Sequence, residues 1–154
     1  MEAVLVSAKE KNYGTFIHLS VLTKYFIPFG NYVLPIVLWA SRKDSSKFTD
    51  YNGKQVINFQ LSMLLYSVVL LVVSIPILLF SIFNTVSFND FDKGNFIFEK
   101  LCAGNVSSIV IVALVAIGLF CFMKIAEFFL IIYGAIKTNE GEYFKYPLVI
   151  NFFK

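Results

Sequence analysis

LSMLLYSVVLLVVSIPILLFSIF, from Leu61 to Phe83, contains no charged residue, and the charge-free run around it extends from Gln55 to Asn89. As a helix its 23 residues reach roughly 34 Å, enough to cross a hydrocarbon core of about 30 Å. A chain of 154 residues has no interior large enough to hide such a rod. Its solvent is therefore a bilayer, and the expected fold is all-α, since a helix satisfies every backbone polar group within itself.

Working outward, three more apolar stretches appear. Val106 to Ile136 covers 31 residues, about 46 Å as a helix, so it must tilt, bend or protrude. Thr15 to Ile27 is interrupted by His18 and Lys24. Tyr32 to Ala40 contains Pro35 and ends at Trp39, an interfacial residue. Between these two short pieces lies Pro28-Phe29-Gly30-Asn31, a helix-stopping cluster. Two geometries fit: one kinked span over Thr15 to Ala40, or two short helices turning at Pro28 to Asn31 with both ends on one face. The strength of the breaker favours the hairpin. The expected architecture is thus a single polytopic domain over 1–154: two full transmembrane helices, a Pro/Gly-broken N-terminal hairpin and an interfacial tail over 137–154. Pro76 is expected to kink the clean span. Asn52-Gly53 reads as a turn or flexible helix start, with Asp50 a candidate N-cap.

Composition agrees. Apolar residues make up 58% and charged residues 15%, with a mean hydropathy of +0.74, against about 25% charged in ordinary globular chains. The net charge of +3 is spread without a Lys/Arg run, which argues against a nucleic-acid partner. Cys102 and Cys121 would lie roughly 28 Å apart on one helix, beyond disulfide reach. The residues before Gly14 lack a basic leader and a cleavage site, so the first apolar segment is expected to be retained. Arg42, Lys43, Lys47 and Lys54 in one loop, and Lys137, Lys145 and Lys154 in the tail, place both on the cytoplasmic side of a cytoplasmic membrane. The loop from Asn84 to Asn105 is then external.

Polar groups in apolar surroundings are the candidates for function. Lys124 and Glu127 share a helix face, and a charge near the bilayer centre costs about 3 kcal/mol on insertion scales. They read either as an ion or proton relay, or as a neutralised structural pair, with Glu127 meeting Lys24 or Lys124 snorkelling to the interface. His18, the only histidine, reads as a packed, hydrogen-bonded residue or a titrating one. It has no ligand-spaced partner, so no metal site is expected. Asn58 and Gln60 stand at the entrance to the clean span, where amides satisfy helix ends, bond across helices or line a groove. Tyr133, Tyr143, Phe144, Tyr146, Phe152 and Phe153 form an aromatic belt. Catalytic and cofactor motifs are missing.

The polar junctions also carry a resemblance. His18-Leu19-Ser20, Ile27-Pro28-Phe29-Gly30-Asn31, Pro35 to Trp39, Arg42-Lys43-Asp44, Asn52-Gly53-Lys54, Ile57 to Ser62 and Ala135 to Leu148 together resemble bacterial membrane proteins grouped as similar to the twenty-kilodalton subunit of the chloroplast inner-envelope import translocon. The blocks span nearly the whole chain, though Lys124 and Glu127 fall outside them. The resemblance implies a helical membrane protein related to translocation and supplies no catalytic residues. The expected function is a non-enzymatic scaffold or transport-related subunit, working as a homo-oligomer or with other membrane proteins. The alternative is a small ion- or proton-coupled carrier using Lys24, Lys124, Glu127 and His18.

Overall fold

Ser7 starts the first helix through a reciprocal cap. Its hydroxyl accepts from the Glu10 N–H (3.3 Å) while the Glu10 carboxylate accepts from the Ser7 N–H (2.8 Å), so two donors that the first turn leaves orphaned are paired. In this computed structural model, which describes residues 6–85 and 107–153, α1 runs over Ala8–Ser20 and continues as a 3-10 turn over Val21–Tyr25. The chain reverses and enters α2, Gly30–Arg42. Two long helices follow, α3 over Lys47–Thr85 and α4 over Ser107–Glu140. No strand occurs among the described residues.

The N-terminal hairpin forms as the breaker cluster implies, with its turn slightly earlier. Gly30 and Asn31 are the first residues of α2, and the reversal itself is Phe26 to Phe29. Its arms lie antiparallel: the Tyr13 hydroxyl donates to the Leu38 carbonyl (2.8 Å) at one end, and Gly30 approaches Thr23 at the other. Each helix has 13 residues, about 20 Å, too short to cross a bilayer. Two helices are long and apolar enough to do so, over Lys47–Phe83 and Ile109–Glu140. The polar connection expected over 84–105 lies almost wholly outside the described residues, as does Cys102.

Four residues read as breakers or turn formers sit inside helices. Pro35 lies within α2 and Pro76 within α3. Asn52 and Gly53 do not open α3 but lie in its second turn, and Asp50 is not its cap: the Ser46 hydroxyl accepts from the Thr49 N–H (3.3 Å). Gly53 is there for space. A β-carbon on it would collide with the Trp39 ring, whose Nε1 donates to Asp50 (2.9 Å). The indole needs the glycine surface, and helix propensity gives way at a cost of about 1 kcal/mol.

The chain divides into two compact units, 1–65 with 125–154, and 66–124. In the second, no described residue is buried, and Val68, Val72, Phe80, Leu114, Ile117 and Phe122 are among its many exposed apolar side chains. Such a surface belongs in lipid. Among the described residues every buried one lies in the first unit, including Ile17, Val21, Val56, Phe59, Ile131 and Tyr146 in the apolar core, and beside them His18, Asn52, Asn58, Gln60, Glu127 and Thr138.

Candidate functional site

The buried polar side chains of the first unit fall into three adjoining networks, each tying helices to one another or to the tail. At the centre of the first is His18, projected from α1 and fully buried. Its Nδ1 lies 2.7 Å from the Tyr146 hydroxyl, and its Nε2 lies 3.0 Å from Thr138 Oγ1 and 3.3 Å from Asn52 Oδ1. Thr138 donates to Asn52 Oδ1 (3.0 Å), and Asn52 Nδ2 donates to the Phe48 carbonyl (3.0 Å). One assignment of hydrogens satisfies all of these. The tyrosine donates to Nδ1, the ring donates through Nε2–H, and threonine passes its proton to the amide oxygen. That is a neutral imidazole. Burial holds the Tyr146 phenol well above its ordinary range, with the Glu127 charge adding to the effect, which keeps the tyrosine a donor. Gly134 makes the approach possible, because a β-carbon there would stand 2.9 Å from both His18 Nδ1 and Tyr146 Oη. Tyr146 in turn stacks on Phe59 with centroids 4.1 Å apart and planes 8° from parallel.

The second network surrounds Glu127. Its side chain is 2% exposed and meets the Lys24 ammonium at 2.6 Å. Gln60 Nε2 donates to the same carboxylate oxygen (3.4 Å), and Asn31 Nδ2 donates to Gln60 Oε1 (2.8 Å). Lys24 from the 3-10 turn and Gln60 from α3 thus meet the buried Glu127 charge of α4, with Asn31 of α2 behind Gln60. The geometry includes the Lys24–Glu127 ion pair, one of the arrangements open to Glu127 from the sequence. Lys124 belongs to the second unit, where its ammonium lies over the Phe120 ring (5.4 Å).

The third network fastens the tail. Asn58 Oδ1 accepts from the N–H groups of Phe152 (3.1 Å) and Phe153 (2.9 Å), and its Nδ2 donates to the Phe153 carbonyl (2.9 Å). One turn on, the Ser62 hydroxyl accepts from the Ile150 N–H (2.9 Å). The amide face of α3 acts as a ladder for an extended strap, satisfying backbone groups that have no helix or sheet partner. Asn58 therefore caps neither helix nor groove; it holds the end of the chain. A 150 Å³ cavity beside the strap is lined by Asn31, Ile57, Gln60 and Phe153, among others.

Of the residues singled out in the sequence, Lys24, Gln60 and Glu127 come together, while His18, Asn58 and Lys124 sit in separate places. Asn52, Thr138, Tyr146 and Ser62 carry the networks without having been read as candidates. Their one signal was position, since all four lie in the polar junction blocks. Among the described residues Gln55 Oε1 is the single buried side-chain atom without a hydrogen-bond partner, and no group of three or more His, Cys, Asp or Glu is placed to hold a metal ion. The arrangement pairs the Glu127 charge with Lys24 and ties buried polar groups of different helices to one another, which is the chemistry of fastening helices.

Comparison with known proteins corrects one expectation. The magnetosome magnetite crystal formation protein family matches residues 9–153, so the resemblance to the import translocon, and the translocation role drawn from it, are overturned. The junction blocks that suggested it contain the hairpin turn, the amide row of α3, and Thr138 and Tyr146 of the His18 network: they reflect how this bundle is held together, and a packing pattern does not carry an activity. Neither the curated proteins nor the solved structures give a match. The chain is a membrane protein of the magnetosome magnetite crystal formation family.

Proposed function

We propose that the protein is a non-enzymatic scaffold of the magnetosome membrane, supporting magnetite crystal formation through other copies of itself or other membrane proteins. The observation that carries this reading is the engagement of the buried polar groups with one another. Glu127 is held by Lys24 and Gln60, and His18 by Tyr146, Thr138 and Asn52. Polar groups engaged in this way fix helix positions and leave no reactive group facing an open cleft. In this reading the Arg42 turn and the tail face the cytoplasm, following the charge bias.

The test replaces the chromosomal copy in magnetosome-forming cells by Glu127→Gln and follows protein abundance, co-purification in mild detergent and crystal size by electron microscopy. A scaffold predicts that crystal size tracks abundance and a reproducible membrane partner, and recovers when the variant is raised to the wild-type level. A variant that is abundant and retains its partner, yet gives crystals like those of a deletion strain, overturns the scaffold and points to a carrier working through Glu127.

A further inference from the structure

The turn of the N-terminal hairpin carries four large apolar or aromatic side chains within five positions, with Pro28 the fifth. Tyr25, Phe26, Ile27 and Phe29 are exposed to 62%, 86%, 60% and 75%. Phe29 also adopts a left-handed backbone (φ 60°), a region where a bulky side chain is uncommon and Gly or Asn is at ease. The turn is tied by Ile27 N–H to the Thr23 carbonyl (2.8 Å) and Gly30 N–H to the Ile27 carbonyl (3.0 Å). A phenylalanine held in a strained conformation while three-quarters exposed gains little from its own chain. What rewards it lies outside.

Position along the first unit says what that is. Asn31, next to the turn, bonds Gln60, and the apolar run of α3 begins at Leu61. Lys24, on the other side of the turn, bonds Glu127, which lies inside the apolar run of α4, with Phe129, Tyr133 and Ile136 exposed beyond it. The tip therefore stands level with the start of the α3 apolar run and within the apolar length of α4. Moving away from the tip along α2, Val33, Leu34, Ile36 and Val37 are exposed, and the apolar face stops at Ser41-Arg42-Lys43-Asp44. The hairpin is thus apolar at its turn and charged at its base. Even the one cation near the tip is folded inward, since Lys24 is only 17% exposed and faces Glu127.

We propose that the α1–α2 hairpin is a single-leaflet insertion, with Tyr25 to Phe29 seated among the acyl chains of the leaflet on the Arg42 side and the base left in water. Its reach supports one leaflet and no more. From Gly30 to Ser41 the helix rises about 16 Å, half of a ~30 Å core. The charged base then serves as the stop, its Arg and Lys held at the headgroup level.

The test uses the full-length protein in phosphatidylcholine–phosphatidylglycerol vesicles, with Cys102→Ser and Cys121→Ala as background. Spin labels are placed at Phe26→Cys, Asn12→Cys and Lys43→Cys, and their collisions with oxygen and with a water-soluble nickel chelate are compared. The expected result is a label at 26 that oxygen reaches and nickel does not, at a depth within the near leaflet, and labels at 12 and 43 that nickel reaches from one side. Nickel access at 26 overturns the proposal, as does shielding from both agents, which marks a protein partner or a second copy. Labels at 12 and 43 on opposite sides also overturn it, because the hairpin then spans. Phe26→Ser with Phe29→Asn provides a second arm, since asparagine suits the left-handed backbone and the hairpin stays folded. A label at Ile27→Cys should then become nickel-accessible with helicity unchanged; a label that stays immersed rejects the tip as the inserting element.

Discussion

Replacing Lys24 by methionine leaves the Glu127 carboxylate with its 2% exposure and without its cation. Gln60 remains, but at 3.4 Å from the oxygen that Lys24 holds at 2.6 Å it is a weak substitute. Removing one partner of a buried ion pair costs about 3–5 kcal/mol, because the remaining charge is desolvated and uncompensated. Lys24 is itself 17% exposed, so water reaches the vacated end and the loss should fall near the lower figure, about 3 kcal/mol. That corresponds to more than a hundredfold in the folded-to-unfolded ratio. The double variant Lys24→Met with Glu127→Met removes both charges and keeps the volume, and a buried pair replaced by apolar residues is often neutral or better. It should recover most of the loss, giving a coupling of about 2–3 kcal/mol in the cycle. Equilibrium unfolding in mixed micelles, followed by helical circular dichroism for all four forms, measures this. A Lys24→Met loss below about 1 kcal/mol, or a double variant no better than the singles combined, would refute the view that this pair fastens the helices.

Other expectations follow from the same geometry. Asn58→Ala removes three hydrogen bonds to the strap, costing about 2–3 kcal/mol at roughly 1 kcal/mol each; hydrogen exchange should rise at Phe152 and Phe153 while the middle of α3 stays protected. Gly53→Ala forces its methyl into the Trp39 ring and should destabilise by about 1–3 kcal/mol, with a shift in the fluorescence of the only tryptophan. Glu10 is held below its ordinary value near 4.5, first by the Ser46 hydroxyl and then by Ser7. A depressed carboxyl contributes stability that is present above its unfolded value and is lost as pH falls through the folded one. Acidification from about pH 5 to pH 3 should therefore loosen the start of α1, and Ser46→Ala should flatten that dependence in a pH series of thermal melts.

Much of the frame was legible because bilayer solvation is a strong and local constraint. Leu61 to Phe83 could be nothing but a helix in lipid, and Pro28 to Asn31 could not continue one. What stayed hidden depended on distant partners. Asn52-Gly53 has the local chemistry of a turn, and only the Trp39 ring on Gly53, with His18 and Thr138 on Asn52, keeps it helical. Asn58 looked like a helix-end amide because nothing in its neighbourhood announces a strap 95 residues later. Tyr146 has the composition of an interfacial residue, yet it is 1% exposed because Phe59 and His18 surround it. For Glu127 both i,i+3 pairing and a distant cation were chemically sound, and sequence spacing alone could not choose. The family escaped for a related reason: the most recognisable residues were the ones that close the bundle.

The first unit is assembled from both ends of the chain, and this fixes an order of events during synthesis. Lys24 bonds a residue 103 positions later, and His18 one 128 positions later. The N-terminal hairpin is made early, with its cation waiting for a carboxylate that has not been translated. The hairpin and α3 are made before Glu127, Thr138 and Tyr146, so the polar core closes only once α4 and the tail follow. The Phe152-Phe153 strap reaches Asn58 from 94 and 95 residues later, so it closes after the Lys24 contact. Until those later residues are made, Lys24, His18 and Asn58 stand without the partners that close the polar core.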